Sequence, residues 1–215
     1  MLFSTPATPY TLFYTGSITN SMTAAALSLL IDNSSDYSNV TWTTPIPRLL
    51  REDFILGGEW SLNHITFEDA LRRRTGYPRH DLAVTGSARK SLRNLRNQPM
   101  SAKPHARYQY CNKMYGAVGY PIETLTGSRL GDSSHSDLLQ HHGGIHLAPH
   151  AVASDVEGPG SLTLSTVLDY AKYLRVMMRE ADPMSKAGLR ELKTPRMLTA
   201  LHPRSFVGYA NYALG

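Results

Sequence analysis

Residues 13–30 read FYTGSITNSMTAAALSLL. From Ser17 to Leu30 the small and apolar side chains leave almost no polar face, which predicts a helix buried on all sides. Ser17 opens this helix, where backbone N–H groups and the helix dipole favour developing negative charge. Side chains three residues apart share a helix face, so the Asn20 amide is expected beside the Ser17 hydroxyl.

An arginine run ends a second predicted helix at residues 66–74. Thr66 is a favourable N-cap with a carboxylate three residues later, and Arg72, Arg73 and Arg74 in the last turn suit the helix dipole. The other basic residues are scattered, so the chain lacks the clustered basic face of a nucleic-acid-binding protein. We expect the run to lie on the solvated end of the helix.

Two longer helices are predicted further along the chain. Asn112–Thr126 is apolar with several small residues, which favours close packing, and Pro121 predicts an interruption before Gly127 ends the helix. The helix at residues 166–179 has Thr166 as its cap. Its apolar residues fall on one face, and they are Val167, Tyr170, Ala171, Leu174 and Met178. Alternating strand patterns are few, so the chain is predicted to be helix-dominated.

The composition is that of an ordinary globular protein. The 215 residues are 41% hydrophobic, enough for one large domain or two small ones, and the formal net charge is +5. The single cysteine, Cys111, excludes an internal disulfide, fits a reducing compartment and is predicted to be a small buried side chain. No apolar stretch is long enough for a membrane span, and the N-terminus has no signal-peptide pattern. These features predict a cytoplasmic protein with neither a membrane nor a nucleic acid as its partner.

Several segments, in this order, resemble one family of serine hydrolases. The spacing of Ser17 and Asn20 resembles the S-x-x-K motif of β-lactamases and penicillin-binding proteins, and its surroundings are similar to the esterase-like branch close to class C β-lactamases. Residues 66–81 resemble the helix and loop of that branch ending in T-G-x-P-R-H-D. Tyr110 and Asn112 match its Y-x-N motif. Further likeness lies in two segments, Gly158–Arg179 and Tyr212–Gly215.

The resemblance implies a fold. The family has an α+β, β-lactamase/transpeptidase-like fold whose sheet comes mostly from the two chain ends. Because both ends are short here, we expect an incomplete version that is helix-dominated with a rudimentary sheet. Residues 1–215 are interpreted as a single partial domain of this family, with an atypical shortened loop region at residues 128–157.

The resemblance also implies roles for four residues. Ser17 would be the nucleophile that forms an acyl-enzyme with an ester, amide or lactam, and Tyr110 would act on the serine proton. Asn20 and Asn112 would contact the substrate. The residues alone leave other interpretations open, because Ser17 is also a good N-cap and Tyr110 is equally suited to a core position.

Two departures from the family pattern bear on activity. Asn20 stands where the motif has a lysine, and an amide cannot take up a proton at any useful pH. The K-T-G or H-x-G strand, which supplies an oxyanion donor in the family, would lie beyond Gly215. A lost general base costs roughly 10²–10⁴ in rate and a lost oxyanion donor roughly 10²–10³, so we expect weak or absent turnover. The alternatives are a non-catalytic binding or interaction module and an incomplete gene product.

Four histidines lie in the shortened loop region, namely His141, His142, His146 and His150. Three of them have helical spacing, but Gly143, Gly144 and Pro149 oppose a helix there, and no HExxH pattern accompanies them. We therefore predict a polar loop, with no metal and no cofactor. With a rudimentary sheet, apolar helix faces are expected to be exposed and to support self-association.

Overall fold

Helices are the main regular elements of the computed structural model, which describes residues 6–80, 83, 87–127, 130, 164–180, 182–201 and 208–211. The helices are α1 (Thr19–Asp32), α2 (Ile46–Leu49), α3 (Glu59–His64), α4 (Phe67–Leu71), α5 (Ala88–Arg93), α6 (Asn112–Thr126), α7 (Val167–Arg179) and α8 (Lys186–Lys193). The strands are β1 (Phe13–Tyr14), β2 (Leu164–Ser165), β3 (Met197–Leu201) and β4 (Gly208–Asn211). Two 3₁₀ turns, Gly16–Ile18 and Asn94–Asn97, precede α1 and follow α5.

The strands form two small antiparallel pairs. In the first, β1 pairs with β2, so that Phe13 lies opposite Ser165. In the second, Met197 of β3 lies opposite Asn211 of β4. The prediction of a helix-dominated α+β fold with a rudimentary sheet is therefore confirmed for the described residues. No helix among them has the length and apolar character needed to span a bilayer.

Helix α1 lies at the centre of the molecule, as its apolar sequence predicts. All but three of its residues are buried, and it packs against α6 and α8. Its buried Met22, Ala25 and Leu29 belong to the same core as Val118 and Ile122 of α6. Cys111, just before α6, is also buried, as predicted. The core thus holds in place both the start of α1 and the start of α6.

The arginine run corrects one prediction. The Thr66 capping box with Asp69 forms as expected, but α4 ends at Leu71, so the arginines lie beyond the helix and are not on its solvated end. Arg72 is 0% exposed and Arg73 is 2% exposed. The chain turns inward there because Arg73 adopts the left-handed conformation, with φ of 57°. Both guanidinium groups find partners inside the protein that the local sequence pattern does not indicate.

Helix α6 has the predicted bounds, but the interruption at Pro121 is wrong. The helix runs through the proline to Thr126 and ends at Gly127, whose φ of 71° is in the left-handed region that glycine favours. A proline at this position removes one helical hydrogen bond. Burial of Val118, Pro121 and Ile122 on either side of that lost bond accounts for the helix continuing.

Helix α7 is capped as predicted, since the Thr166 side chain accepts a hydrogen bond from the Asp169 backbone. Its buried residues, however, are Tyr173 and Met177. Of the predicted apolar face, Tyr170 packs against the core, but the other residues are exposed, and Met178 is 81% exposed. Periodicity shows which residues share a face but not what that face meets. Self-association through it stays a prediction.

The contact between α1 and α8 depends on the absence of a side chain at Gly188. A Cβ atom built there would overlap the Ser28 hydroxyl of α1 and approach Asp32. We expect Gly188→Ala to lower the free energy of unfolding by about 1–3 kcal/mol through overpacking, although alanine is otherwise the better helix former by about 1 kcal/mol. Urea unfolding followed by circular dichroism measures this change.

The matched control for Gly188→Ala is the same substitution in a Ser28→Ala background. The buried Ser28 hydroxyl makes no hydrogen bond to the described residues, so its removal is cheap and clears the space. The cost of Gly188→Ala should then vanish or change sign. An equal cost in both backgrounds would show that the overlap with Ser28 is not its cause.

Candidate active site

Ser17 lies in the 3₁₀ turn that leads into α1, where its side chain is exposed. The turn begins at Gly16, whose φ of 53° bends the chain between β1 and the helix. The N-cap of α1 itself is Ile18, and no side-chain capping bond forms there. The reading of Ser17 as the N-cap of α1 is therefore wrong, and its hydroxyl is available for another partner.

That partner is Tyr110. The Tyr110 hydroxyl donates a hydrogen bond of 2.7 Å to the Ser17 Oγ across 93 positions of sequence. Tyr110 is half-buried in the segment that leads into α6, so the starts of two core helices hold the pair together. When the phenol is ionised the bond reverses, and the serine hydroxyl becomes the donor. This is the geometry that a base needs to take the proton of a nucleophile.

Asn20 lies one helical turn after Ser17, at the base of the site. It is 1% exposed, and its Nδ2 makes a long contact of 3.5 Å with the Tyr110 hydroxyl. Its Oδ1 has no hydrogen-bond partner among the described residues. The amide therefore occupies the position beside the pair, as the helical spacing predicts, and leaves one acceptor unused.

Two arginines lie over the ring of Tyr110. The Arg73 Cζ is 3.7 Å from the ring centroid and the Arg79 Cζ is 4.4 Å from it. The Arg73 Cζ also lies 5.0 Å from the ring centroid of Tyr115. A cation over an aromatic face is attracted by the ring and favours the anionic form of a phenol.

The two tyrosines in contact with Arg73 differ in acidity. Burial alone would raise the pKa of Tyr110, but its hydrogen bond with Ser17 and its interactions with Arg73 outweigh burial and hold that pKa below its usual range. Complete burial raises the pKa of Tyr115 to about 12. The Tyr115 hydroxyl donates to the Leu71 carbonyl at 2.9 Å, a structural bond. Tyr110 is thus the tyrosine whose environment suits proton transfer.

The chain matches a known family over nearly all of its length, since residues 3–211 fit the profile described as Beta-lactamase. The chain belongs to the β-lactamase family. It is 37% identical over 248 residues to an unguisins hydrolase of Aspergillus campestris, a match that covers 98% of this chain and 46% of the relative. This family member thus spans about half the length of the curated relative that it matches.

Solved structures share the fold of this β-lactamase family member. A penicillin-binding protein homologue from Pyrococcus abyssi superposes with a TM-score of 0.71 at 20% identity, covering 96% of this chain and 54% of the other. The D-amino acid amidase of Ochrobactrum anthropi gives a TM-score of 0.69 at 18% identity, covering 99% and 69%. At these identities the superpositions show the fold alone.

The remaining predicted site residue, Asn112, is the first residue of α6 and is half-buried. Its role in substrate binding stays a prediction. The neighbouring Lys113 is buried, and its Nζ donates to the Ala83 carbonyl. The histidines of the 128–157 region and the segment Tyr212–Gly215 lie outside the described residues.

Sequence reasoning missed Arg73 and Arg79 as parts of the site. Both lie in segments that resemble the family, yet contact between a cation and a ring 31 or more positions away leaves no local periodic signal. The only available hint was that the run of three arginines lies in a segment that also carries a family motif.

Proposed function

We propose that this β-lactamase family member carries out acyl transfer at Ser17, with slow turnover. The Ser17 Oγ attacks the carbonyl carbon of an ester, amide or lactam, and its proton passes to Tyr110. A bond from the Ser17 Oγ to the acyl carbon forms, the bond to the leaving oxygen or nitrogen breaks, and Tyr110 returns the proton to the leaving group. Water then releases the acyl group. The observation that carries the proposal is the 2.7 Å hydrogen bond between Tyr110 and Ser17 at the start of α1.

Amides are the substrate class we favour. The relative from Aspergillus campestris is named an unguisins hydrolase, and one protein of the same fold is a D-amino acid amidase. Unguisins are therefore the first natural compounds to test.

Weak turnover is proposed because Asn20 cannot accept a proton, which leaves Tyr110 as the proton acceptor of the described site. We also propose a cytoplasmic location, on the basis of the single buried Cys111.

A second candidate function, non-catalytic binding, is favoured by Asn20. A buried amide with an unpaired Oδ1 among the described residues is a potential acceptor for a ligand N–H. In that case an unguisin would bind without being cleaved and without modifying Ser17. Calorimetry together with mass analysis of the mixture separates this outcome from acyl transfer.

Covalent labelling tests the acyl-transfer proposal. We expect a fluorophosphonate to add once to the purified chain, with peptide mapping placing the label on Ser17, and Ser17→Ala to abolish it. Ser21→Ala is the matched control, because Ser21 lies one turn later and its hydroxyl is engaged by the Ile18 carbonyl at 2.8 Å. It should be labelled like the wild type. Labelling that persists in Ser17→Ala would remove Ser17 from the mechanism.

A further inference from the structure

Arg73 is a buried cation without a carboxylate among the described residues. Its neighbours in sequence are paired, Arg72 with Glu191 and Arg74 with Asp69. The Nε and Nη1 atoms of Arg73 make no hydrogen bond to the described residues. Buried charges are normally paired, because removal from water is costly. The left-handed backbone at Arg73 adds strain, which proteins tend to retain at functional sites.

The contacts of Arg73 point to one function for this charge. Its guanidinium lies against the rings of Tyr110 and Tyr115, and of these only Tyr110 is bonded to the nucleophile. At the same time the position that resembles the motif lysine holds Asn20, which is neutral. The site around Ser17 thus lacks a cation on α1 and has one over the face of the Tyr110 ring.

We propose that Arg73 is a positioning residue that supplies, through the face of the Tyr110 ring, the positive charge that Asn20 lacks. The inference rests on the proposed function, since it takes Tyr110 to be the base for Ser17. The Arg73 Cζ lies 3.7 Å from the ring centroid, so its charge is close enough to stabilise the phenolate while the Tyr110 oxygen keeps its bond to Ser17. The low acidity of a guanidinium keeps Arg73 charged throughout.

This arrangement differs from a lysine in one chemical respect. A guanidinium is not deprotonated at any pH that a folded protein meets, so Arg73 stabilises charge but cannot transfer a proton. Tyr110 must therefore hold the serine proton and return it to the leaving group. The groups that face the phenol are Ser17, Asn20 and the two arginines, Arg73 and Arg79. Tyr108 on the same segment and Tyr115 on α6 also lie near Arg73.

The test is the titration of Tyr110, followed by NMR of chains with ¹³C-labelled tyrosine, with the Tyr110 signal assigned by its loss in Tyr110→Phe. In the wild type we expect Tyr110 to ionise below the value of about 10 that exposed tyrosines show. Arg73→Gln should move this midpoint up by one pH unit or more, which is a tenfold or greater loss of phenolate at a pH well below both midpoints. Arg73→Lys should restore part of the shift.

Arg72→Gln is the control for a merely structural effect. It removes an equally buried arginine from the adjacent position, so it should lower stability and leave the Tyr110 midpoint in place. An unchanged midpoint in folded Arg73→Gln overturns the proposal, as does a wild-type midpoint at or above that of exposed tyrosines. If Arg73→Gln does not fold, the titration of Tyr110 is repeated in Arg79→Gln, in which the exposed second arginine over the ring is removed. Loss of the whole shift in Arg79→Gln overturns the role of Arg73, and retention of the shift supports it.

The titration measures the ionisation of the Tyr110 phenol directly and does not depend on turnover of any substrate. Absence of a fluorophosphonate label on Ser17 would contradict the proposed function while leaving the titration result intact. An unshifted Tyr110 in a chain that still labels at Ser17 would contradict only the role of Arg73. The two failures are therefore separate observations.

Discussion

Tyr110→Phe is expected to slow fluorophosphonate labelling of Ser17 by roughly 10²–10⁴-fold, the usual contribution of a general base. The substitution removes one oxygen and keeps the ring against Arg73, so the packing of the segment before α6 should survive. The Ser17 hydroxyl would then have lost its 2.7 Å partner, and Asn20 offers no group that can accept a proton. The measurement is the second-order rate constant for labelling, taken with circular dichroism as a check on folding.

The pH dependence of Ser17 labelling provides a second test of Tyr110 as the base. In the proposed mechanism the base is the ionised form of Tyr110, whose pKa is held below its usual range, so the labelling rate should rise with pH and level off above that lowered pKa. Tyr110→Phe should lose this inflection. Tyr115→Phe is the control, because its hydroxyl bonds the Leu71 carbonyl, and it should affect stability but not the profile. Wild-type labelling rates in Tyr110→Phe across the pH range would exclude Tyr110 as the base.

Local sequence rules predicted the features that depend on neighbours along the chain. The continuous apolar run of α1, the capping box at Thr66 and the cap at Thr166 each involve contacts within a few residues, so the pattern itself determines them. The bounds of α6 were predicted for the same reason. The proline within α6 was misjudged because a propensity rule does not include the burial on both sides of it.

The pairing of Ser17 with Tyr110 was predictable only through resemblance to a family. The two residues are 93 positions apart, and neither composition nor periodicity relates them. The resemblance supplied the pair but not its electrostatics, because the family pattern has a lysine where this chain has Asn20. The contact of Arg73 with the Tyr110 ring depends on tertiary packing and has no signal in the local sequence.

The position of the arginine run was predicted wrongly because its partners lie far away in the sequence. Three arginines after a short helix match the pattern of a solvated helix end, where the interaction of a cation with the helix dipole contributes only about 0.3–1 kcal/mol. Inside the protein, Arg72 instead meets the end of α8, with its partners 119 and 122 positions away. Several hydrogen bonds from a charged donor to backbone carbonyls outweigh the weaker preference for solvent.

Arg72→Met is expected to lower the free energy of unfolding by about 2–4 kcal/mol, because it removes a buried charged donor from the partly buried acceptors at the end of α8. The guanidinium donates to the carbonyls of Glu191 and Thr194, and it donates to the Glu191 carboxylate at 3.0 Å. The Glu191 carbonyl keeps a second donor, the Thr194 backbone N–H at 3.3 Å, whereas Arg72 is the donor to the Thr194 carbonyl at the C-cap of α8. The Glu191 carboxylate keeps its bonds of 2.9 Å to Arg196, which holds the loss below that of a fully stranded charge.

Urea unfolding of the whole chain measures the loss, with Arg190→Met as the matched control. Arg190 lies on α8, the helix whose end Arg72 contacts, but its side chain is exposed, so its substitution should change stability by no more than about 0.5 kcal/mol. Methionine replaces most of the apolar stem of Arg72, so the difference between the two variants isolates the lost donor bonds from lost packing. Equal stability of Arg72→Met and Arg190→Met would mean that the bonds from Arg72 do not stabilise α8, and that other contacts of the helix, such as the 2.8 Å bond from its N-cap Ser185 to Asp32 of α1, hold it in place.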